Sequence, residues 1–123
     1  MTIIEAINQI DAFKHNTYSQ SEKTGWLSKL DGMVQKLILD THRHGSGSAF
    51  AGYDGNTPVD TVLLIGAPFE QVYLRWLEAQ IDYHNGEYGR YNNAISLFNT
   101  EYAAFADHYH RTHKPADTLN RFY

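Results

Sequence analysis

From residue 74 to residue 109 an apolar or aromatic side chain returns every third or fourth position. The series is Leu74, Leu77, Ile81, His84, Tyr88, Tyr91, Ile95, Phe98, Tyr102, Phe105 and Tyr109. Only His84 departs from the pattern. On a helix, this spacing gathers all eleven side chains on one stripe. A stripe of that length has to be covered, so the second half of the chain reads as helix packed against protein. No reactive cluster of comparable clarity accompanies it.

The phase passes unbroken through Asn85-Gly86-Glu87-Tyr88-Gly89 and Asn92-Asn93. These are poor helix formers, together costing ~3–4 kcal/mol in a continuous helix. Because the register survives them, the pattern favours one long helix over residues 68–113. A kink near Gly86 to Gly89 would divide it into arms of about 68–84 and 87–112. A helical hairpin turning at the same residues is the alternative.

The first half carries two capping boxes, in which a hydroxyl and a glutamate satisfy each other's backbone amides. Thr2-Ile3-Ile4-Glu5 opens a helix over about 3–14 with Ile3, Ala6, Ile7, Ile10 and Phe13 on its apolar face. Ser19-Gln20-Ser21-Glu22 opens a second over about 20–41, carrying Trp26, Leu27, Leu30, Val34, Leu37 and Ile38. Between the helical halves, residues 44–66 read as a glycine-rich loop or a small β-hairpin. Gly45, Ser46, Gly47, Ser48, Gly52, Gly55 and Pro58 punctuate it, and residues 61–65 offer a β-branched run to pair with 49–53. Phe50 and Tyr53 are placed to anchor this loop on the core. Pro68 and Glu70 suit a helix start, and residues 114–123 read as a trailing tail. The expected fold is mainly α, a single-domain helical bundle over residues 1–123.

Composition narrows the function. The chain has 123 residues, 42% hydrophobic and 14% aromatic, which suits one packed core rather than disorder. A net charge of −4 with ten scattered Lys and Arg gives no basic face for reading DNA. The absence of cysteine excludes disulfides, thiolate metal sites and a cysteine nucleophile. Residues 1–11 have no signal-peptide pattern. The longest apolar run, residues 62–65, is far short of the ~20 residues a membrane span requires, so a soluble protein is expected.

Three candidate chemistries fall short. Asp107, His110 and His113 have helical ligand spacing for zinc, and His42, His44 and His108 add further imidazoles. The plainer reading is a polar face with a cationic last turn suited to the helix dipole. The stretch from Asp54 through Asn56 to Asp60 alternates oxygen ligands, but Val59 and Ile65 stand where a calcium loop needs glycine and glutamate. A turn closed by Asp and Asn side chains is the better reading. Glu78, Asp82 and His84 lie near the stripe, yet nothing separates them from a solvated face, with His84 half-buried and bonded to a partner helix. No phosphate loop or nucleophile motif occurs, so no catalytic, cofactor or metal residue is assigned and no enzyme is expected. Tyr73, Tyr83, Tyr88, Tyr91, Tyr102 and Tyr109 suit a protein–protein interface or the rim of the domain's own core.

One resemblance goes further. It rests on Trp26-Leu27-Ser28-Lys29-Leu30-Asp31-Gly32, Asp40-Thr41-His42, Gly52-Tyr53-Asp54 with Thr57-Pro58, and Leu63-Leu64-Ile65 followed by Ala67-Pro68. It continues in Tyr73-Leu74, Trp76-Leu77-Glu78-Ala79-Gln80-Ile81-Asp82-Tyr83, Asn85-Gly86-Glu87-Tyr88-Gly89-Arg90-Tyr91-Asn92-Asn93 and Arg111-Thr112-His113. Over residues 22–113 the chain resembles small phage and prophage structural proteins of the head–tail connector (adaptor) type, from tailed phages of Gram-positive bacteria. The resemblance implies a virion protein, made in the host bacterial cytoplasm, that self-associates into a ring under the portal. It would meet the portal and the neck or tail-completion proteins. DNA would pass through its channel without specific binding, and no membrane would be involved. The tyrosine-rich stripe and loop 44–58 would meet neighbouring subunits, and the family has no catalytic residues to carry over. The alternative is a small helical homo-oligomeric binding or regulatory module of a prophage.

Overall fold

The computed structural model describes residues 1–39 and 50–113, and they build four helices. These are α1 (Ile3–Phe13), α2 (Gln20–Leu37), α3 (Gln71–His84) and α4 (Tyr88–Thr112). Both capping boxes form: the hydroxyls of Thr2 and Ser19 accept from the amides of Glu5 and Glu22, whose carboxylates return to the cap amides. The tail 114–123, with the glycine-rich start of the loop, lies outside the described residues.

The apolar faces converge on α3. Ile3, Ile7 and Ile10 of α1, with Leu27, Leu30 and Val34 of α2, pack with Val72, Tyr73, Leu77 and Ile81 of α3. Among the described helices, α1, α2 and α3 contact one another, whereas α4 packs on α3 alone.

The second half is a helical hairpin, not one long helix. At the end of α3 the Glu87 amide donates to the Asp82 carbonyl and the Gly86 amide to the Tyr83 carbonyl. Gly86 sits at φ +76°. This is the paired-bond C-terminal motif that needs a left-handed residue, which glycine supplies without a Cβ clash. The helical periodicity concealed the turn. Ile81 and Tyr88 are seven residues apart, two helical turns to within about 20°. A short turn that returns the chain with its apolar side inward therefore preserves the stripe's phase.

The α4 half of the stripe packs on rings that lie off it, while Leu77 and Ile81 of its α3 half belong to the core shared with α1 and α2. Trp76 meets Phe98 with ring centroids 5.1 Å apart, Tyr83 meets Tyr91 at 5.5 Å, and Phe69 meets Phe105 at 5.9 Å. With a rise of about 1.5 Å per residue, α4 is roughly 37 Å long and α3 roughly 21 Å. The last turns of α4 therefore run beyond the start of α3. There, Phe69 covers Phe105 and His108.

The expected β-hairpin is replaced by irregular chain. Among the described residues no strand forms, and Val62 pairs with Thr2 in an isolated antiparallel bridge. The Ile3 and Leu63 amides, bonded to Thr61 and Met1 carbonyls, fasten this segment to the start of α1. Pro68 does not open α3. A turn in which the Phe69 amide donates to the Gly66 carbonyl precedes the helix, which begins three residues later. The Glu70 carboxylate is engaged by the amino group of Met1.

Candidate interaction surface

Asp31 of α2 is completely buried and accepts three hydrogen bonds. The Tyr73 hydroxyl donates to Oδ1 at 2.7 Å, while the Tyr53 hydroxyl at 2.6 Å and the Leu64 amide at 3.0 Å donate to Oδ2. Tyr73 also accepts from the Ile65 amide at 2.7 Å. Burial pushes the Asp31 carboxyl above its ordinary 3.8, opposed by its three donors. The Tyr53 and Tyr73 hydroxyls are pushed far up, first by burial and then by the Asp31 charge, so both stay protonated as donors. One carboxylate therefore binds α2, the loop at Tyr53, the segment 64–65 and α3. Phe50 stacks edge-on against Tyr53 with centroids 5.0 Å apart, so both expected loop anchors are in place.

This hub was not visible in the sequence pattern, where Asp31 reads as one more polar residue on a helix. Tyr73 is likewise a core residue rather than an interface tyrosine. Asp82 is buried too, against the solvated-face expectation, and pairs with Lys14 at 2.8 Å. Lys23 is buried and reaches Asp11 at 2.6 Å. The two pairs tie α1 to α3 and to α2.

The sequence-derived metal candidates remain apart or serve turns. Among the described residues no group of three His, Asp or Glu side chains comes together to hold a metal. His113 stacks on Tyr109 with centroids 3.7 Å apart. His42 and His44 lie outside the described residues. At Asp54 the carboxylate accepts from the Asn56 amide at 2.8 Å and the Thr57 hydroxyl donates within the same turn, so this segment is the expected Asx-type turn.

A row of aromatic rings gathers at the α3–α4 turn. Here Tyr18 and Trp26 lie 5.3 Å apart, Trp26 and His84 5.0 Å, and His84 and Tyr83 5.4 Å. Tyr83 continues the row to Tyr88 at 6.0 Å. Tyr83 is 52% and Tyr88 60% exposed, whereas Tyr18 and Trp26 are half-buried. His84 is exposed, bonds to the Gln80 carbonyl of its own helix, and packs its ring on Trp26 of α2. It is not the half-buried residue bonded to another helix that its stripe position suggested. Tyr18 fastens the row by donating to Asn85 at 2.6 Å.

A second feature lies along the flank of α3. Gln71, Leu74, Arg75 and Glu78, one face by their spacing, form with Gln9, Ala12 and Phe13 of α1 a groove of about 370 Å³. Phe13 is 63% exposed on its wall. Arg75 crosses from this face toward α4, 3.5 Å from Glu101.

Tyr102 presents a different imperfection. Its hydroxyl is buried with no hydrogen-bond partner among the described residues, and burial raises its pKa. Tyr102→Phe is expected to stabilise the fold by about 0.5–1 kcal/mol, because a buried unsatisfied hydroxyl is removed while the ring stacked on Phe98 is retained. Urea denaturation of the two proteins checks this; a loss of stability would show that the hydroxyl is satisfied.

No protein-family model, curated protein or solved structure matches the chain. Among the described residues, no helix is long and apolar enough to cross a membrane.

Proposed function

We propose that the chain is a virion structural protein, a head–tail connector subunit that associates with its own copies under the portal during phage morphogenesis. The observation that carries this reading is the row of rings at the α3–α4 turn, where Tyr83, His84 and Tyr88 are exposed beside half-buried Tyr18 and Trp26. Tyrosine and tryptophan combine a large apolar area with a polar edge, the composition favoured in protein–protein interfaces. Four residues of the motifs on which the family resemblance rests also meet in space. Asp31, Tyr53, Leu64 and Tyr73 come from four separate motifs and share one hydrogen-bonded hub.

The surfaces offered to neighbours differ from those the stripe suggested. Leu77, Ile81, Phe98 and Phe105 are buried within the hairpin and its core, leaving the rings at the turn and the groove along α3. Mass spectrometry of purified tailed particles from a strain carrying the gene, with antibody labelling in negative-stain micrographs, tests the reading. Several copies per particle, labelled at the head–tail vertex, are expected. Absence of the chain from particles of normal morphology would refute it.

A further inference from the structure

We infer that Asn85–Gly86, at the turn between α3 and α4, is a site of spontaneous deamidation. The folded hairpin holds it closed, and local opening of the turn releases it. The site does not depend on what the chain assembles with.

The chemistry needs only this residue pair and water. The backbone nitrogen of Gly86 attacks the side-chain Cγ of Asn85. The N–Cγ bond forms, the Cγ–Nδ2 bond breaks, and Nδ2 leaves as ammonia with the proton that the Gly86 nitrogen gives up. Water then opens the five-membered imide at either of its carbonyls, leaving aspartate or isoaspartate at position 85. Glycine in the following position favours ring closure, because it has no Cβ to crowd the attacking nitrogen and its backbone rotates freely. Asn85–Gly86 is the one Asn-Gly pair in the chain. Asn85 is exposed, and a Cβ added to Gly86 would meet nothing within 4 Å, so neighbouring atoms do not shield the pair.

Three restraints set by the fold oppose the reaction. The Gly86 amide donates to the Tyr83 carbonyl at 3.0 Å, which keeps on the nitrogen the proton it must lose. Asn85 is held at φ −79° and ψ −7°, a helical conformation. Ring closure requires the Gly86 nitrogen on the Cβ side of Asn85, and a helical ψ turns it away. The third restraint is Tyr18, whose hydroxyl donates to Oδ1 of Asn85 at 2.6 Å and fixes the side chain from the segment before α2. The Glu87 amide, bonded to the Asp82 carbonyl, closes the same turn and leads into α4. Since α4 docks on no described helix except α3, opening that one interface loosens the turn without unfolding the rest.

The two products act differently on the turn. Aspartate keeps an oxygen for the Tyr18 hydroxyl, but it puts a negative charge at the C-terminus of α3, where the helix dipole favours a positive one. Isoaspartate routes the main chain through Cβ, and the longer backbone displaces the bonds from Gly86 and Glu87 that shape the turn. The rings of Tyr83, His84 and Tyr88 stand on that turn, so ageing of the chain alters this surface first.

Timed incubation in mildly alkaline buffer tests the site. Protease digestion and mass spectrometry then separate the asparagine, aspartate and isoaspartate forms of the peptide carrying residue 85. The natural chain in urea is expected to convert about tenfold or more faster than the folded chain, because reaction follows the open population. Gly86→Ala in urea should convert about tenfold more slowly than the natural chain in urea, since its Cβ hinders the nitrogen. Tyr18→Phe keeps the ring on Trp26 and removes only the hydroxyl. It should convert about fivefold faster than the folded natural chain, the effect of one lost hydrogen bond on local opening. Thr2→Ala removes the α1 cap and leaves the turn alone, so its rate should match the natural chain. Three results would overturn the proposal: no conversion in urea, a folded chain as fast as the unfolded one, or a Tyr18→Phe variant no faster than the natural chain. Equal acceleration by Thr2→Ala and Tyr18→Phe would also do so, by showing that reaction follows global unfolding and not the turn.

Discussion

Asp31→Ala is expected to destabilise the protein by about 3–5 kcal/mol, measured by urea denaturation at neutral pH. Alanine leaves the Tyr53 and Tyr73 hydroxyls and the Leu64 amide pointing into a dry space. Each stranded donor costs about 1–3 kcal/mol, partly offset because a buried charge has gone. Asp31→Asn should cost less, since the amide keeps one accepting oxygen and its NH2 can donate to a rotated tyrosine hydroxyl. An Ala variant as stable as the natural protein would show that the hub contributes nothing net.

The same residue predicts a pH dependence of definite sign. Burial raises the Asp31 pKa above its ordinary 3.8. A raised carboxyl pKa means the folded state holds its proton more tightly than the unfolded state does. Its contribution is therefore complete below about pH 3.8 and declines as pH rises through the folded value. The capping glutamates run the other way. Backbone amides of Thr2 and Ser19 hold Glu5 and Glu22 below the usual range, so their stabilisation is lost as pH falls. The difference between the natural protein and Asp31→Asn isolates the buried carboxyl. That difference should be larger in acid than at neutral pH, and the opposite trend would contradict the burial-dominated account.

Local chemistry was readable from the sequence wherever one segment determines it. Both capping boxes and the turn at Asp54 depend on neighbours a few residues away and form as read; the apolar faces of α1 and α2 form except at their last members, Phe13 and Leu37, which are exposed. What escaped depended on distant partners. Asp31 and Asp82 look alike in a helical pattern, yet each is fixed by residues far along the chain. The choice between one helix and a hairpin escaped for another reason. Periodicity reports which side of a helix is apolar but not whether the chain reverses, and a three-residue turn after His84 leaves the register intact. Gly86 was the available signal, because a left-handed glycine beside Asn85 is the signature of a helix C-terminus. The candidate surface was partly legible. Tyr83 and Tyr88 were among the tyrosines offered for contact, whereas Phe13 and the groove appear only when α1 lies along α3.

The hairpin makes α4 vulnerable at one position. Phe98→Ala is expected to cost about 3–5 kcal/mol, the usual range for removing a buried phenylalanine. Phe98 is 5% exposed, packed on Trp76 at 5.1 Å and stacked on Tyr102 at 5.4 Å. Because α4 touches no helix except α3 among the described residues, this loss falls on a single interface. Amide exchange should therefore accelerate along α4 before it does along α1 and α2, as local opening releases the helix without unfolding the rest. Leu97→Ala, at the neighbouring exposed position, should change stability by no more than about 0.5 kcal/mol. Tyr91→Ala, half-buried against Tyr83, should fall between the two. Equal effects at Phe98 and Leu97 would mean that α4 does not dock on α3 through this face. The hairpin would then be wrong, and with it the turn that exposes Tyr88.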